Sequence, residues 1–276
     1  MRKVLFRGFF MLSTTLFAVA EVNTTEPIAE ERIMKDIAKK QVISATRGDI
    51  KVIEASENIR YLSQKMVKLY LYFYKNPTKF QAKRDLERML LALNDDFRII
   101  VTTTKDSDTK DILEFLAYSK DQIAEIFSEV PNEERAALML DYSETLLEGA
   151  DSVAVAHRYD FADEEKMLMV TKEMEYLLER MSKYYMALHA GFDSPTNKDA
   201  MQESIMHFEE NIAKINLYAY PKQEREQKMA MNASWKATQA FLEKSETLFI
   251  PNLMNASVAH LENIVAKIAL FHTQNQ

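Results

Sequence analysis

Apolar residues recur along this chain at intervals alternating between three and four. Val52, Ala55, Ile59, Leu62, Met66, Leu69 and Phe73 form one such series. That spacing places all seven on one stripe of a helix, the seam of a bundle or coiled coil. A second series follows 115 positions later, with Met167, Val170, Met174, Leu177, Met181, Tyr184 and Leu188 on the stripe. No segment alternates apolar and polar for more than a few residues, so strands are not expected. The pattern predicts helices from Ile28 to about Lys75, with Gly48 as a point of bending, then about Thr78–Thr103 and Asp108–Val130. Further helices are expected from about Asn132 towards Leu188, interrupted at Gly149 or around Asp160-Phe161, then about Thr196–Tyr218, Gln223–Thr247 and one opened by Pro251.

The two series share more than their seams. Tyr61, Leu62, Met66, Lys68 and Tyr70 return as Tyr176, Leu177, Met181, Lys183 and Tyr185. Bundle packing alone explains the seam residues. Tyr61, Lys68 and Tyr70 lie off the seam, so their return points to an internal repeat. The expected fold is therefore all-α, an antiparallel bundle of long helices built from two repeated units, 28–130 and 131–274.

Composition sharpens this reading. Only 4 Gly and 6 Pro in 276 residues favour long helices over the many turns of an all-β protein. Pro27, Pro77, Pro131, Pro195, Pro221 and Pro251 punctuate the chain at expected helix starts. The absence of Cys excludes disulfides, thiolate zinc sites and CxxCH haem attachment. Residues 1–20 have the parts of a secretory signal: Arg2, Lys3 and Arg7, an apolar run from Phe9 to Val19, and the small-x-small site Ala18-Val19-Ala20. The apolar run is short for a membrane span of about 20 residues. Cleavage after Ala20 and a periplasmic location are expected. Loss of the three signal cations takes the formal charge from −7 to −10, which disfavours nucleic acid as a partner.

The run Arg60-Tyr61-Leu62-Ser63-Gln64-Lys65-Met66 resembles the RMLSQRM signature of the PilJ-type domain. That domain is the N-terminal sensor module of type IV pilus methyl-accepting chemotaxis proteins, related to the periplasmic sensor region of NarX-like nitrate/nitrite kinases. The family usually has Ala-Gly before the signature, where this chain has Ser56-Glu57. The resemblance implies a sensory bundle, a small anion such as nitrate or nitrite as ligand, and a homodimer. It also implies that Arg60 contacts the anion together with its mate from a second subunit.

The residues themselves leave two readings of Arg60 open. Its helical neighbours Ser56, Ser63 and Gln64 could complete a polar shell around a planar oxyanion held by the guanidinium fork. Alternatively, Glu57 and Arg60 form a surface i,i+3 ion pair worth about 0.3–0.5 kcal/mol. The equivalent positions of the second series are Lys172 and Glu175, a swapped pair that an ion pair permits and an anion site does not. Tyr61, Tyr70, Tyr72, Tyr176, Tyr184 and Tyr185 either line an aromatic pocket or pack between helices with their hydroxyls reaching water.

Other chemistry has a weaker footing. Met167-Leu168-Met169 and Met229-Ala230-Met231 suggest copper in an exported protein, but helical residues two apart face different sides. His157, Asp160 and Glu164 could share a metal if their segment is helical. No Gly-rich phosphate loop, HExxH or GxSxG occurs. The expectation is a non-enzymatic sensory or ligand-binding bundle with no catalytic residues, no metal and no cofactor, acting through conformational change or a membrane-bound signalling partner, or merely holding its ligand. The alternative is a structural or scaffolding bundle engaged in protein–protein contacts with no small ligand.

Overall fold

The computed structural model describes residues 46–77, 80–245 and 247–276. The expected signal at 1–20 and the expected helical stretch from Ile28 to Gly48 lie wholly or largely outside them. Among the described residues there are eight helices and no strand. They are α1 Arg47–Lys75, α2 Phe80–Thr103, α3 Ser107–Ser128, α4 Glu133–Ala156, α5 Asp163–Ala190, α6 Pro195–Leu217, α7 Lys222–Leu242 and α8 Pro251–Gln274. The protein is an all-α antiparallel helical bundle. No described helix is long and apolar enough to cross a membrane.

Local chemistry sets most helix ends. Thr46 caps α1 reciprocally with Asp49: the Asp49 amide donates to Thr46 Oγ1 at 3.1 Å, and the Thr46 amide donates to Asp49 Oδ2 at 3.0 Å. The side chains of Asp106, Asn132 and Ser194 cap α3, α4 and α6. Pro195 and Pro251 occupy the first positions of α6 and α8, and Pro221 precedes α7. Gly191 ends α5 at φ 108°, a conformation open to residues without a Cβ.

Helices α1 to α4 form one up-down set of four, and α5 to α8 form a second. Short loops join consecutive helices, and α4 returns to α1 as α8 returns to α5. The sets meet along α1 and α5. Arg60 lies over Tyr176, and Lys65 is 3.0 Å from Glu179, so these two helices run in the same direction. The helices of the second set start 116, 115, 115 and 118 residues after their counterparts.

The helix contacts group the chain differently from the expected units 28–130 and 131–274: α4 packs on α1 and α3 of the first set. The change of set falls in residues 157–162, which join α4 to α5. Pro131 marks a loop inside the first set. Of the two expected points of interruption, the helix breaks around Asp160-Phe161 and runs on through Gly149. A Cβ built there would lie 2.5 to 2.9 Å from side-chain atoms of the fully buried Leu116 on α3. The glycine serves close helix packing. Gly149→Ala should lower unfolding stability by about 1–3 kcal/mol through overpacking. Urea unfolding checks this.

The seam itself rotates. Val52, Ala55, Ile59 and Met66 are buried as expected, but Leu62, Leu69 and Phe73 are half-buried, and Ser63, Val67 and Tyr70 replace them. A straight helix drifts about 20° per heptad from a 3.5-residue repeat. Along its C-terminal half α5 is buried nearly all round, from Tyr176 to Ala187 except Arg180, because α1, α6 and α8 surround it.

Candidate functional site

Glu57 and Arg60 lie one turn apart on α1. Arg60 Nη1 donates to Glu57 Oε1 at 2.8 Å and Oε2 at 2.9 Å. Its Nη2 lies 3.5 Å from Asp151 on α4, and the guanidinium carbon sits 4.2 Å from the centre of the Tyr176 ring on α5. The ion-pair geometry is present, but not on the surface: Arg60 is 8% exposed and Glu57 4%. Helices α4 and α5 cover them. Burial pushes the Glu57 carboxyl up, and Arg60 pulls it down less strongly. Arg60 Nε has no hydrogen-bond partner among the described residues.

The pair floors a cleft of about 330 Å³ between α1, the end of α4 and the start of α5. Asp151, Arg158, Lys166 and Glu173 carry charge on its walls, and Phe161, Met169 and Val170 give it an apolar side. Ser56, Ser63 and Gln64 are not part of its lining. Ser56 Oγ donates to the Val52 carbonyl at 2.8 Å, and Ser63 Oγ to the Arg60 carbonyl at 2.8 Å. Gln64 Nε2 donates to Ser63 Oγ at 3.0 Å and to the Ser143 carbonyl at 3.2 Å. All three are fully buried, and Gln64 Oε1 has no hydrogen-bond partner among the described residues. The structure thus places Arg60 at a cleft but does not gather the predicted polar shell around its guanidinium.

Farther along the seam, the sequence concealed two charged clusters. Glu179 on α5 has no exposure. Lys65 Nζ lies 3.0 Å from Glu179 Oε1, and Lys68 pairs with Oε2. Glu262 on α8 reaches the same place: Tyr61 donates to it at 2.9 Å, and Lys65 lies 3.4 Å away. Burial opposes ionisation of Glu179, yet Lys68 and Lys65 outweigh it and hold this carboxyl low. Burial and the neighbouring Glu179 push Glu262 up. On the other side, Lys183 of α5 has no exposure and donates to Ser143 Oγ at 3.0 Å beside Glu144. Arg180 also pairs with Glu144, at 2.8 Å. Burial lowers the Lys183 ammonium to about 8, against the opposing pull of Glu144.

Two histidine clasps close one end of the sets. His157 Nδ1, after α4, lies 2.9 Å from Asp49 Oδ1 at the start of α1. His272 Nδ1, on α8, lies 2.6 Å from Glu164 Oε2 at the start of α5. Both partners are displaced by 115 residues. Shifting the sequence by the repeat interval would have exposed both pairs. The carboxylates can only accept, so each Nδ1 donates. Each Nε2 meets hydroxyls: Thr109 at 3.1 Å and Thr104 at 3.3 Å for His157, Tyr220 at 2.8 Å for His272. These carboxylate–histidine–hydroxyl series have the order of a nucleophilic triad, but the hydroxyl-bearing residues are buried. Substrate has no access to them, and the bonds tie helix ends together. The His157, Asp160 and Glu164 grouping that a helical segment would have allowed is not formed, because residues 158–162 are not helical and the two clasps separate His157 from Glu164. No cluster able to hold a metal ion occurs among the described residues. No family model, curated protein or solved structure matches the chain.

Proposed function

We propose that this chain is an exported sensory or ligand-binding helical bundle of PilJ/NarX-like type. The observation that carries this reading is the Arg60 cleft. It opens where α1, α4 and α5 meet, so an occupant touches both four-helix sets at their shared seam. Differential contact with that seam is what a ligand needs to bias helix packing. The RYLSQKM run on α1 and the common spacing of the two helix sets support the family reading and a duplicated unit. A small anion such as nitrate or nitrite is the ligand class the resemblance implies. A homodimer and a membrane-bound partner that receives the signal complete the proposal, and the composition of residues 1–20 supports a periplasmic location.

The test is thermal unfolding of the purified protein with nitrate, nitrite, small carboxylates and free amino acids, against a chloride control. A ligand specific to the folded state raises the midpoint, by about 2.7 kcal/mol of stabilisation at a hundredfold excess over Kd. At least one ion should do so, and Val170→Trp, which fills the cleft, should abolish the shift. A shift from nitrate or nitrite that disappears in Arg60→Ala assigns the anion to Arg60. No shift from any member overturns the ligand-binding reading.

The scaffolding alternative has one observation in its favour. Leu248, Phe249, Ile250 and Leu253 are all exposed around the start of α8, a continuous apolar tip suited to a protein contact.

A further inference from the structure

We infer that the Arg60 cleft receives a small dipolar ion with one carboxylate, one ammonium and an apolar body, the chemistry of a free amino acid; this rests on the cleft being a ligand seat. Arg60 is already engaged. Its Nη1 donates to both carboxylate oxygens of Glu57, and its face lies on Tyr176. A bare anion bound there lies against the Glu57 and Asp151 carboxylates that already face the guanidinium. The charges still available lie on the cleft walls and have both signs. The guanidinium of Arg158, in the turn after α4, has no partner among the described residues. Lys166, in the first turn of α5, meets Asp163 only at 3.4 Å, with both side chains exposed.

Opposing them, among the described residues Glu173 on α5 makes no ion pair, and Asp151 pairs with Arg60 alone, at 3.5 Å. A simple anion that gains Arg158 and Lys166 also meets Asp151 and Glu173. A simple cation meets the reverse problem. A dipolar ion places a complementary charge against each pair, and Met169 and Val170 offer its body an apolar surface. The size agrees. A water's share of liquid volume is about 30 Å³, so about 330 Å³ holds on the order of ten waters or a ligand of similar atom count.

Isothermal titration calorimetry of the purified protein tests this with leucine, valine, methionine and phenylalanine as probes. Isovalerate supplies the carboxylate alone, isoamylamine the ammonium alone, and nitrate a simple anion. At least one amino acid should bind with Kd on the order of 0.1–1 mM, a range suited to a ligand of this size in an open cleft. Isovalerate and isoamylamine should bind at least about tenfold more weakly. Arg158→Gln and Glu173→Gln, both outside the core, should each weaken the amino acid about tenfold with the unfolding midpoint unchanged. Nitrate or isovalerate binding as tightly as the amino acids overturns the dipolar assignment and leaves the cleft a ligand seat. Binding by none of the probes overturns the dipolar assignment. Where the thermal panel is silent as well, the ligand seat falls with it.

Discussion

Glu179→Ala should lower unfolding stability by about 3–5 kcal/mol, the cost of breaking a buried ion pair by removing one partner. The carboxylate has no exposure, while the Lys65 and Lys68 side chains keep 25% and 12%. Removing Glu179 leaves Lys68 without its partner and Lys65 with only the more distant Glu262, at 3.4 Å, in a partly dry site, and leaves a cavity behind them. Lys68 has little room to reach water, so the loss belongs in this range rather than with surface pairs, which are worth about 0–1 kcal/mol. Urea unfolding measures it, with helical circular dichroism to show that the fold persists. The mechanism is separable from simple loss of attraction. Replacing Glu179, Lys65 and Lys68 by Met together with Glu262→Gln should recover most of the stability, because no charge is then stranded. A quadruple variant as unstable as Glu179→Ala would show that attraction within the cluster, not the stranded charge, dominates. The pH direction is also defined. Glu179 is held below the usual glutamate value of 4.5, so its contribution is present above that value and is lost as pH falls below it.

This cluster also shows where sequence reading stops. Helix existence was legible because apolar spacing, prolines and caps are local signals. The break between α4 and α5 has two candidate positions in the sequence, Gly149 and Asp160-Phe161. It falls at the second, and Gly149 is instead the residue that lets α3 approach α4 through Leu116. The real break carries neither Gly nor Pro. It is held by the His157–Asp49 clasp, by Glu165 accepting from the Ala162 amide at 2.8 Å, and by Tyr159 donating to Glu165 at 2.6 Å. Those partners are a tertiary contact and a short-range cap that apolar periodicity does not reveal. The Glu57–Arg60 pair was readable from its i,i+3 spacing. Its burial was not, because that depends on α4 and α5 folding over α1. The same holds for Ser63 and Gln64: their polarity suggested a binding shell, but the drift of the straight helix turned them inward. Lys68 and Lys183 were recognised as equivalent positions. Nothing local told that Lys68 would meet Glu179 across the seam while Lys183 would meet Glu144 on α4.

Glu262→Gln should stabilise the protein at pH 7–8 by about 1–3 kcal/mol and flatten its stability between about pH 4.5 and neutrality. Burial and the adjacent Glu179 carboxylate push the Glu262 carboxyl above its usual 4.5, against the pull of Lys65 and Lys68. Below that value both folded and unfolded chains hold the proton. As pH rises, the unfolded chain releases it first, so the folded state binds more protons and stability falls with pH. The decline ends once the folded carboxyl also ionises, and each unit of difference corresponds to about 1.36 kcal/mol. Glutamine removes this titration while preserving the local bonds. Its carbonyl accepts from Tyr61 as the carboxylate does, at 2.9 Å in the wild type, and its amide can donate to Glu179. Asp96, which burial raises to about 6, titrates in the same window, but its contribution is common to both proteins and cancels in their difference. Urea unfolding at pH 5, 6, 7 and 8 reads that difference directly. A gap that widens with pH shows that α8 brings a proton-holding carboxyl to the α1–α5 seam. A gap independent of pH shows that Lys65 and Lys68 suffice to ionise both glutamates.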